Sequence, residues 1–356
     1  MHSLIAPKAV RLEASSRCQL RCPSCPTTAK AIDPVVGSNV LKFDDFRRFL
    51  EANPRVRDIE ISNYGEVFLN PELLEILRCA HQHGVTINIA NGANFNHVSP
   101  QVLEALVKYG VARITCSIDG ASQETYAQYR VRGNFDRVME NLRLLNRFKA
   151  EHQSERPELT WQFIVFGHNE HEISRAREMA REMNMKLRFK LNWDADFSPM
   201  RNVEQVLAET GLPAPSREAY AEKFGVDYKA DLCRQLWLQP QINWDGKNLG
   251  CGRNFWGDFG GNAFRDGLLS MVNGKKMQHA RDMLLGRAQP RGDIPCTTCS
   301  VYQQMRATGH YMESPVPPVP LLKMTRRRLG LVASDRFNRL RARVLDGLRP
   351  RPAKAA

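Results

Sequence analysis

The chain has 356 residues, 42% hydrophobic and 25% charged, values of a folded globular protein with a sizeable core and not of a disordered one. No run reaches the ~18 uninterrupted apolar residues of a spanning helix. The opening MHSLIAPKAVRLEASS also lacks the apolar core of a signal peptide, so a soluble cytoplasmic protein is expected. The net charge of +13 is uneven, since residues 313–356 carry 11 Lys and Arg against 3 acids, a net +8 that leaves +5 for the rest.

From residue 10 to about 192 the pattern alternates between strand and helix. Short runs rich in β-branched residues predict strands at VRLEA (10–14), RDIEIS (57–62), TINIAN (86–91), ARITCSID (112–119), LTWQFIVF (159–166) and KLRFKL (186–191). Segments of helical period fall at 43–53, 71–84, 99–110, 134–153 and 171–184, with Pro71 at one start and Gly84 and Gly110 at two ends. Six strands with helical crossovers make a parallel α/β array, whose chemistry gathers at the C-terminal ends of the strands. After Asn192 the alternation stops. A mixed segment with Pro213 and Pro215 leads to Cys233, a second region runs to about 312, and SPVPPVP (314–320) is a stiff spacer before the basic tail.

Nine cysteines in a reducing compartment are not expected to form a disulfide framework, and the odd count agrees. Cys18, Cys22 and Cys25 lie in EASSRCQLRCPSCPTT, just after the first strand. Thiolates spaced four and three residues apart on one loop can reach a single metal centre. A structural zinc site wants a fourth ligand, and the nearest His or Cys is His2. Three thiolates on a [4Fe–4S] cubane leave one iron open to a small molecule. Cys79, inside a helix, and Cys116, inside a strand, read as buried apolar residues.

This C-x3-C-x2-C spacing after the first strand resembles the radical S-adenosylmethionine (SAM) superfamily. SNYGEVFLNPELLEIL is similar to the family's Gly-Gly-Glu-Pro motif and keeps Gly65 and Glu66, which by resemblance orient the methionine of SAM. ITCSIDGASQETYAQYRVRGNFDRVMENL is similar to the fourth strand and following helix, where Ser117 and a downstream Arg, here Arg130 or Arg132, are implied to hold the ribose and carboxylate. QFIVFGHNEHEI (162–173) resembles the fifth strand and its loop. Two positions depart from the pattern: Ser24 stands where an aromatic is usual before the third cysteine, and Val67 where proline follows the motif glutamate.

A second constellation, Cys233, Cys251 after GKNLG, and Cys296 with Cys299 in CTTC, resembles the SPASM region in its short, twitch form. Its four cysteines match a single auxiliary [4Fe–4S] cluster, as in 2-deoxy-scyllo-inosamine dehydrogenase. A zinc ribbon also suits four cysteines, but the wide first gap, the position of Gly246 and the upstream motif weigh against it. The resemblance implies a partial (β/α)6 TIM-like barrel over 1–195, a linker at 196–232, a twitch auxiliary domain over 233–312, and a Pro-rich spacer and basic tail over 313–356.

It further implies two [4Fe–4S] clusters and SAM as cofactors, cleaved reductively to a 5′-deoxyadenosyl radical that abstracts hydrogen from substrate. A reducing donor such as flavodoxin or ferredoxin would feed the chemistry. The expected reaction is oxidation or another modification of a small polar molecule, a sugar or cyclitol by analogy. The alternatives are a peptide- or protein-modifying maturase and, from another class, a zinc-binding nucleic-acid adaptor. Asn63, Asn91, Asn192, Asp194 and Asp196 near strand ends are candidates for a general base, or simply turn residues. Asn169 is expected to cap the helix after the fifth strand. In the tail, Val332, Phe337, Leu340, Val344 and Leu348 could form a stripe among arginines, suited to an anionic membrane or a protein partner. No aromatic stacking platform accompanies those arginines, which disfavours nucleic acid.

Overall fold

The computed structural model describes residues 4–313; the proline-rich spacer and basic tail expected beyond them lie outside the described residues. The six predicted strands form at β1 (Ala9–Leu12), β2 (Asp58–Glu60), β3 (Thr86–Ala93), β4 (Arg113–Ser117), β5 (Glu158–Ile164) and β6 (Lys186–Lys190). Each pairs in parallel with the next in sequence order. Between them run α1 (Phe43–Ala52), α2 (Leu73–Gln82), α3 (Pro100–Lys108), α4 (Gln123–Tyr129), α5 (Phe135–Glu151) and α6 (Ile173–Glu182). Parallel neighbours need such crossovers, because a tight turn cannot reverse the chain twice.

The helix ends follow local chemistry. The Ser99, Ser122 and Asn134 side chains accept the exposed N–H groups of Val102, Thr125 and Arg137, and Pro100 starts α3 where its missing N–H costs nothing. The single helix expected over 134–153 is preceded by the separate α4, because Gly133 and the left-handed Arg132 break the chain between them.

Side chains alternate across the sheet. Val10, Leu12, Ile59, Ile61, Ile114, Cys116, Trp161 and Phe163 face the helices and make the main core, which also takes in Cys79. The residues between them are polar and point to the other face: Arg11, Glu13, Glu60, Thr115, Ser117 and Gln162 are all buried there. The strands are therefore not uniformly apolar, as buried parallel strands often are; one face is a hydrophobic core and the other a polar interior.

The stretch 196–232 carries α7 (Val203–Thr210) and α8 (Arg217–Phe224), both closed by a left-handed glycine, Gly211 and Gly225. The chain then passes through α9 (Gln235–Leu238) to β7 (Gln241–Ile242), which pairs in parallel with β1, and β8 (Asn248–Gly250), which pairs antiparallel with β7. The sheet order is β6-β5-β4-β3-β2-β1-β7-β8. Sequence periodicity gave no sign of β7 and β8, which are too short for one. Beyond them α10 (Leu268–Val272), α11 (Lys275–Leu284) and α12 (Ser300–Thr308) follow. Leu236, Trp237, Phe259, Met277, Met283 and Tyr302 form a second core there. Among the described residues no helix is long and apolar enough to cross a membrane.

Candidate radical SAM site and four-cysteine cavity

The three-cysteine loop leaves the C-terminal end of β1 and turns back on itself, with Cys25 N–H donating to the Cys22 carbonyl at 3.1 Å and Ala29 N–H to that of Cys25 at 3.0 Å. Cys18, Cys22 and Cys25 are unbridged and pack on Leu20, Tyr129, Ile164 and Phe166. Burial pushes the Cys18 thiol up to about 12, with Glu66 and the other two thiols adding to the rise. Burial also raises Cys22, opposed by Arg130. Three soft donors on one loop, Cys22 buried and Cys18 and Cys25 half-buried against an apolar patch, are well placed as ligands of a cluster whose metal charge offsets the thiolates. The Ser24 hydroxyl, buried beside Cys25, has no hydrogen-bond partner within the protein, so it is open to a bound group.

Arg130 packs, mostly buried, against this loop. Its Nη1 lies 3.6 Å from Cys22 Sγ, and Nε and Nη2 lie 2.7 and 2.5 Å from Asp119 Oδ2. Asp119 is wholly buried, and its other oxygen accepts the Ile164 N–H at 2.7 Å. The positive charge is thus fixed next to a cluster-ligand position by an acid at the end of β4. Arg132 is exposed, in a left-handed backbone conformation.

Gly65 sits where the turn after β2 crosses the start of the cysteine loop. A Cβ there would stand 2.4 Å from the Ser15 carbonyl oxygen and 2.5 Å from that of Arg17, so only glycine fits. Tyr64 N–H, at 3.1 Å, and Gly65 N–H, at 3.4 Å, donate to the Glu13 carboxylate, which burial pushes up to about 8. Glu66 is turned inward. Its carboxylate accepts the Asn94 N–H at 2.7 Å and the Phe68 N–H at 3.4 Å, and burial raises it to about 7. Glu66 therefore ties the end of β3 to the motif turn. Ser117 ends β4 with its register partner Gln162 on β5.

Cys233, Cys251, Cys296 and Cys299 come from three separate segments and line one narrow cavity of about 20 Å3, with Trp256, Phe259 and Tyr302 among its walls. Burial and their mutual charge raise Cys233, Cys251 and Cys296 together. Gly250, with φ +71°, lets β8 turn into Cys251, and a Cβ there would meet the Phe259 ring at 2.3 Å. Four thiols in one apolar cavity fit a fully ligated cluster in the chemistry of their donor set. Among the described residues no three Cys, His, Asp or Glu side chains close on one point as ligands of a single metal ion.

The two cysteine sets are joined by polar contacts absent from the sequence reading. Asn63 Nδ2 donates to the Gly252 carbonyl at 3.1 Å, and the Tyr64 hydroxyl to that of Asn254 at 2.5 Å. Arg11 bridges the same junction, donating from Nε to Gln241 at 2.9 Å and from Nη2 to Asn63 at 3.2 Å. Two expectations resolve as turn structure. Asn192 donates to the Asp194 and Phe197 carbonyls, while the Asp194 carboxylate accepts from the Asp196 and Phe197 N–H groups. Asn169 does not cap a helix with its side chain. It is fully buried, donates to the Asp119 and Ile164 carbonyls and accepts from Phe166 N–H, because closing the end of β5 offers it three partners where a cap offers one.

Comparison with known proteins agrees with this geometry. Residues 12–180 match the Radical SAM superfamily. The AdoMet-dependent heme synthase of Methanosarcina barkeri is 26% identical over 180 residues, 50% of this chain and 48% of that protein. The GTP 3′,8-cyclase of Chlorobaculum tepidum is 28% identical over 188 residues, 51% of this chain and 52% of that protein. The matches thus span about half the length of these relatives. In fold, the chain is similar to Streptococcus suis SuiB bound to S-adenosylmethionine, with a TM-score of 0.60 at 13% identity, over 88% of this chain and 76% of that one. Residues 12–180 thus match a radical SAM domain, within an α/β fold whose parallel sheet is like that of a radical SAM partial barrel. That family implies SAM and a [4Fe–4S] cluster as its cofactors.

Proposed function

We propose that the chain uses its radical SAM site to modify a small polar molecule held on the inner face of the sheet, by oxidation or a related radical reaction. One observation carries this reading. The inner face is polar from the β1 end, at Glu13 and Glu60, across to Gln162 and Lys190.

When bound, SAM on a cluster held by Cys18, Cys22 and Cys25 supplies hydrogen-atom abstraction, and a second cluster on Cys233, Cys251, Cys296 and Cys299 supplies an electron acceptor. The chain itself does the positioning. Ile164, Phe166 and Tyr129 keep water from the loop. Arg130, aimed by Asp119, sets a positive charge where a thiolate-bound cluster is negative. Gly65 admits the close crossing that brings the motif turn to the loop, where Gly65 would meet the methionine of SAM and Ser117, at the end of β4, its ribose. The relatives named above act, by their names, in heme and GTP chemistry, so the shared domain does not fix one substrate.

The test is anaerobic reconstitution followed by iron and sulfide assay and SAM turnover with dithionite. Two cubanes give about eight irons and eight sulfides per chain, with 5′-deoxyadenosine released. Cys22→Ala abolishes that release, and Cys296→Ala halves the iron. Zinc without sulfide would refute the reading.

A further inference from the structure

The last strand of the parallel array ends in an unbalanced group of cations. On β6, the solvent-exposed Arg188 and the half-buried Lys190 share one neutral acceptor, the amide oxygen of the buried Gln162, at 3.4 and 2.6 Å. Gln162 is the register partner of both Ser117 and Arg188, so the group begins two strands beyond the residue expected to meet SAM. Arg217, at the start of α8, closes over it: Nη2 lies 3.5 Å from the Leu191 carbonyl, and the guanidinium stands 5.4 Å above the Tyr228 ring and 5.8 Å above Trp193. Its Nε is buried without a partner. Lys229 also lies over the Tyr228 ring, at 5.6 Å, and lines the four-cysteine cavity together with Arg253.

Five basic side chains, Arg188, Lys190, Arg217, Lys229 and Arg253, therefore gather at this end of the sheet and outnumber the nearby acids Asp119, Asp227 and Glu218. Asp119 is already bonded to Arg130, and Asp227 lies 3.9 Å from Arg253. Like charges this close oppose folding unless something answers them. Mutual repulsion adds to burial in pulling Lys190 down to about 7 and Lys229 to about 8. A carboxylate cancels one charge; a phosphate ester brings about −1.5 to −2 and three acceptor oxygens. We infer that Arg188, Lys190, Arg217 and Lys229 form the anion subsite for a phosphate group on the substrate, holding it between the SAM strand ends and the four-cysteine cavity. This rests on the proposed function, whose small polar substrate it specifies as phosphate-bearing.

The test is competitive acetylation of the full-length protein at neutral pH, read by peptide mass spectrometry at Lys190 against the exposed Lys108. Inorganic pyrophosphate is the probe, with acetate and SAM in parallel arms. At about ten times Kd the free fraction, and hence labelling of Lys190, falls about tenfold, while Lys108 is unaffected. Arg217→Met removes the protection and Arg217→Lys retains part of it, with a thermal melt on each to show that both are folded. Equal slowing at Lys108, equal protection by acetate, or protection by SAM with pyrophosphate inert would each overturn the assignment. The two readings fail separately. Protection without SAM cleavage in the reconstituted protein sinks the radical SAM proposal and leaves an anion site, whereas SAM cleavage without protection sinks only the subsite.

Discussion

The hydroxyl of Tyr64 donates to the carbonyl of Asn254 at 2.5 Å, joining the glycine turn of the SAM motif to the loop that carries Cys251. The two residues are 190 positions apart and tie together two chemical centres. Burial holds the phenol well above its ordinary range, so it stays a donor at all working pH values. Tyr64→Phe leaves the Asn254 carbonyl without this partner and costs about 1–2 kcal/mol of stability. Urea unfolding measures it. A loss near zero would mean that the loop holds its place without the bond.

Gly65→Ala is expected to do more. The added methyl meets the backbone of Ser15, Ser16 and Arg17 within 2.5 Å, and backbone cannot swing aside as a side chain does. Overpacking of this kind costs about 1–3 kcal/mol. It also moves the root of the cysteine loop, so iron uptake at the first site falls with stability. Gly292→Ala, where a Cβ meets nothing, is the control and leaves both measurements unchanged.

Much of this was legible in the chain because its cause is local. Strand and helix periods placed β1 to β6 and α5 closely, and the cysteine spacing placed both thiol sets. What escaped was either short or long-range. β7 and β8 have two and three residues and owe their existence to pairing with β1. The Arg130–Asp119 pair and the Tyr64–Asn254 bond join residues whose proximity only the fold creates. The inner face has a signal in the sequence: VRLEA, LTWQF and KLRFK each alternate, and every second residue is polar, which marks Glu13, Gln162 and Lys190. Asn169 was read by its residue type as a cap, while its packing made it a buried bridge.

Arg130→Met tests the pair at the cluster loop. It leaves the carboxylate of Asp119 buried and unanswered, which for a broken buried pair costs about 3–5 kcal/mol. Arg130→Met combined with Asp119→Asn removes the stranded charge and recovers part of that loss, so the double-mutant cycle shows coupling. Iron retention separates charge from packing. If Arg130 acts on the cluster through Cys22, the double variant regains stability yet loses iron on chelator challenge faster than wild type. Equal iron loss in wild type and double variant would confine Arg130 to structure.

Glu13 gives a pH dependence with a definite sign. Burial raises its carboxyl from 4.5 to about 8 in the folded chain, partly offset by the N–H groups of Tyr64 and Gly65. Between those two values the folded state keeps a proton that the unfolded state has released, so folding takes up a proton. Its contribution is therefore fully present below about 4.5 and is lost as pH rises through about 8. Gln is neutral throughout, and its amide oxygen can accept both N–H groups. Glu13→Gln should match wild type near pH 5 and gain on it steadily toward pH 8.5, in urea unfolding at constant ionic strength. Glu66, raised to about 7, acts in the same direction in both proteins and cancels in the difference. A gap between wild type and Glu13→Gln that stays constant from pH 5 to 8.5 would show that Glu13 is ionised in the folded chain, held as a carboxylate by the motif turn.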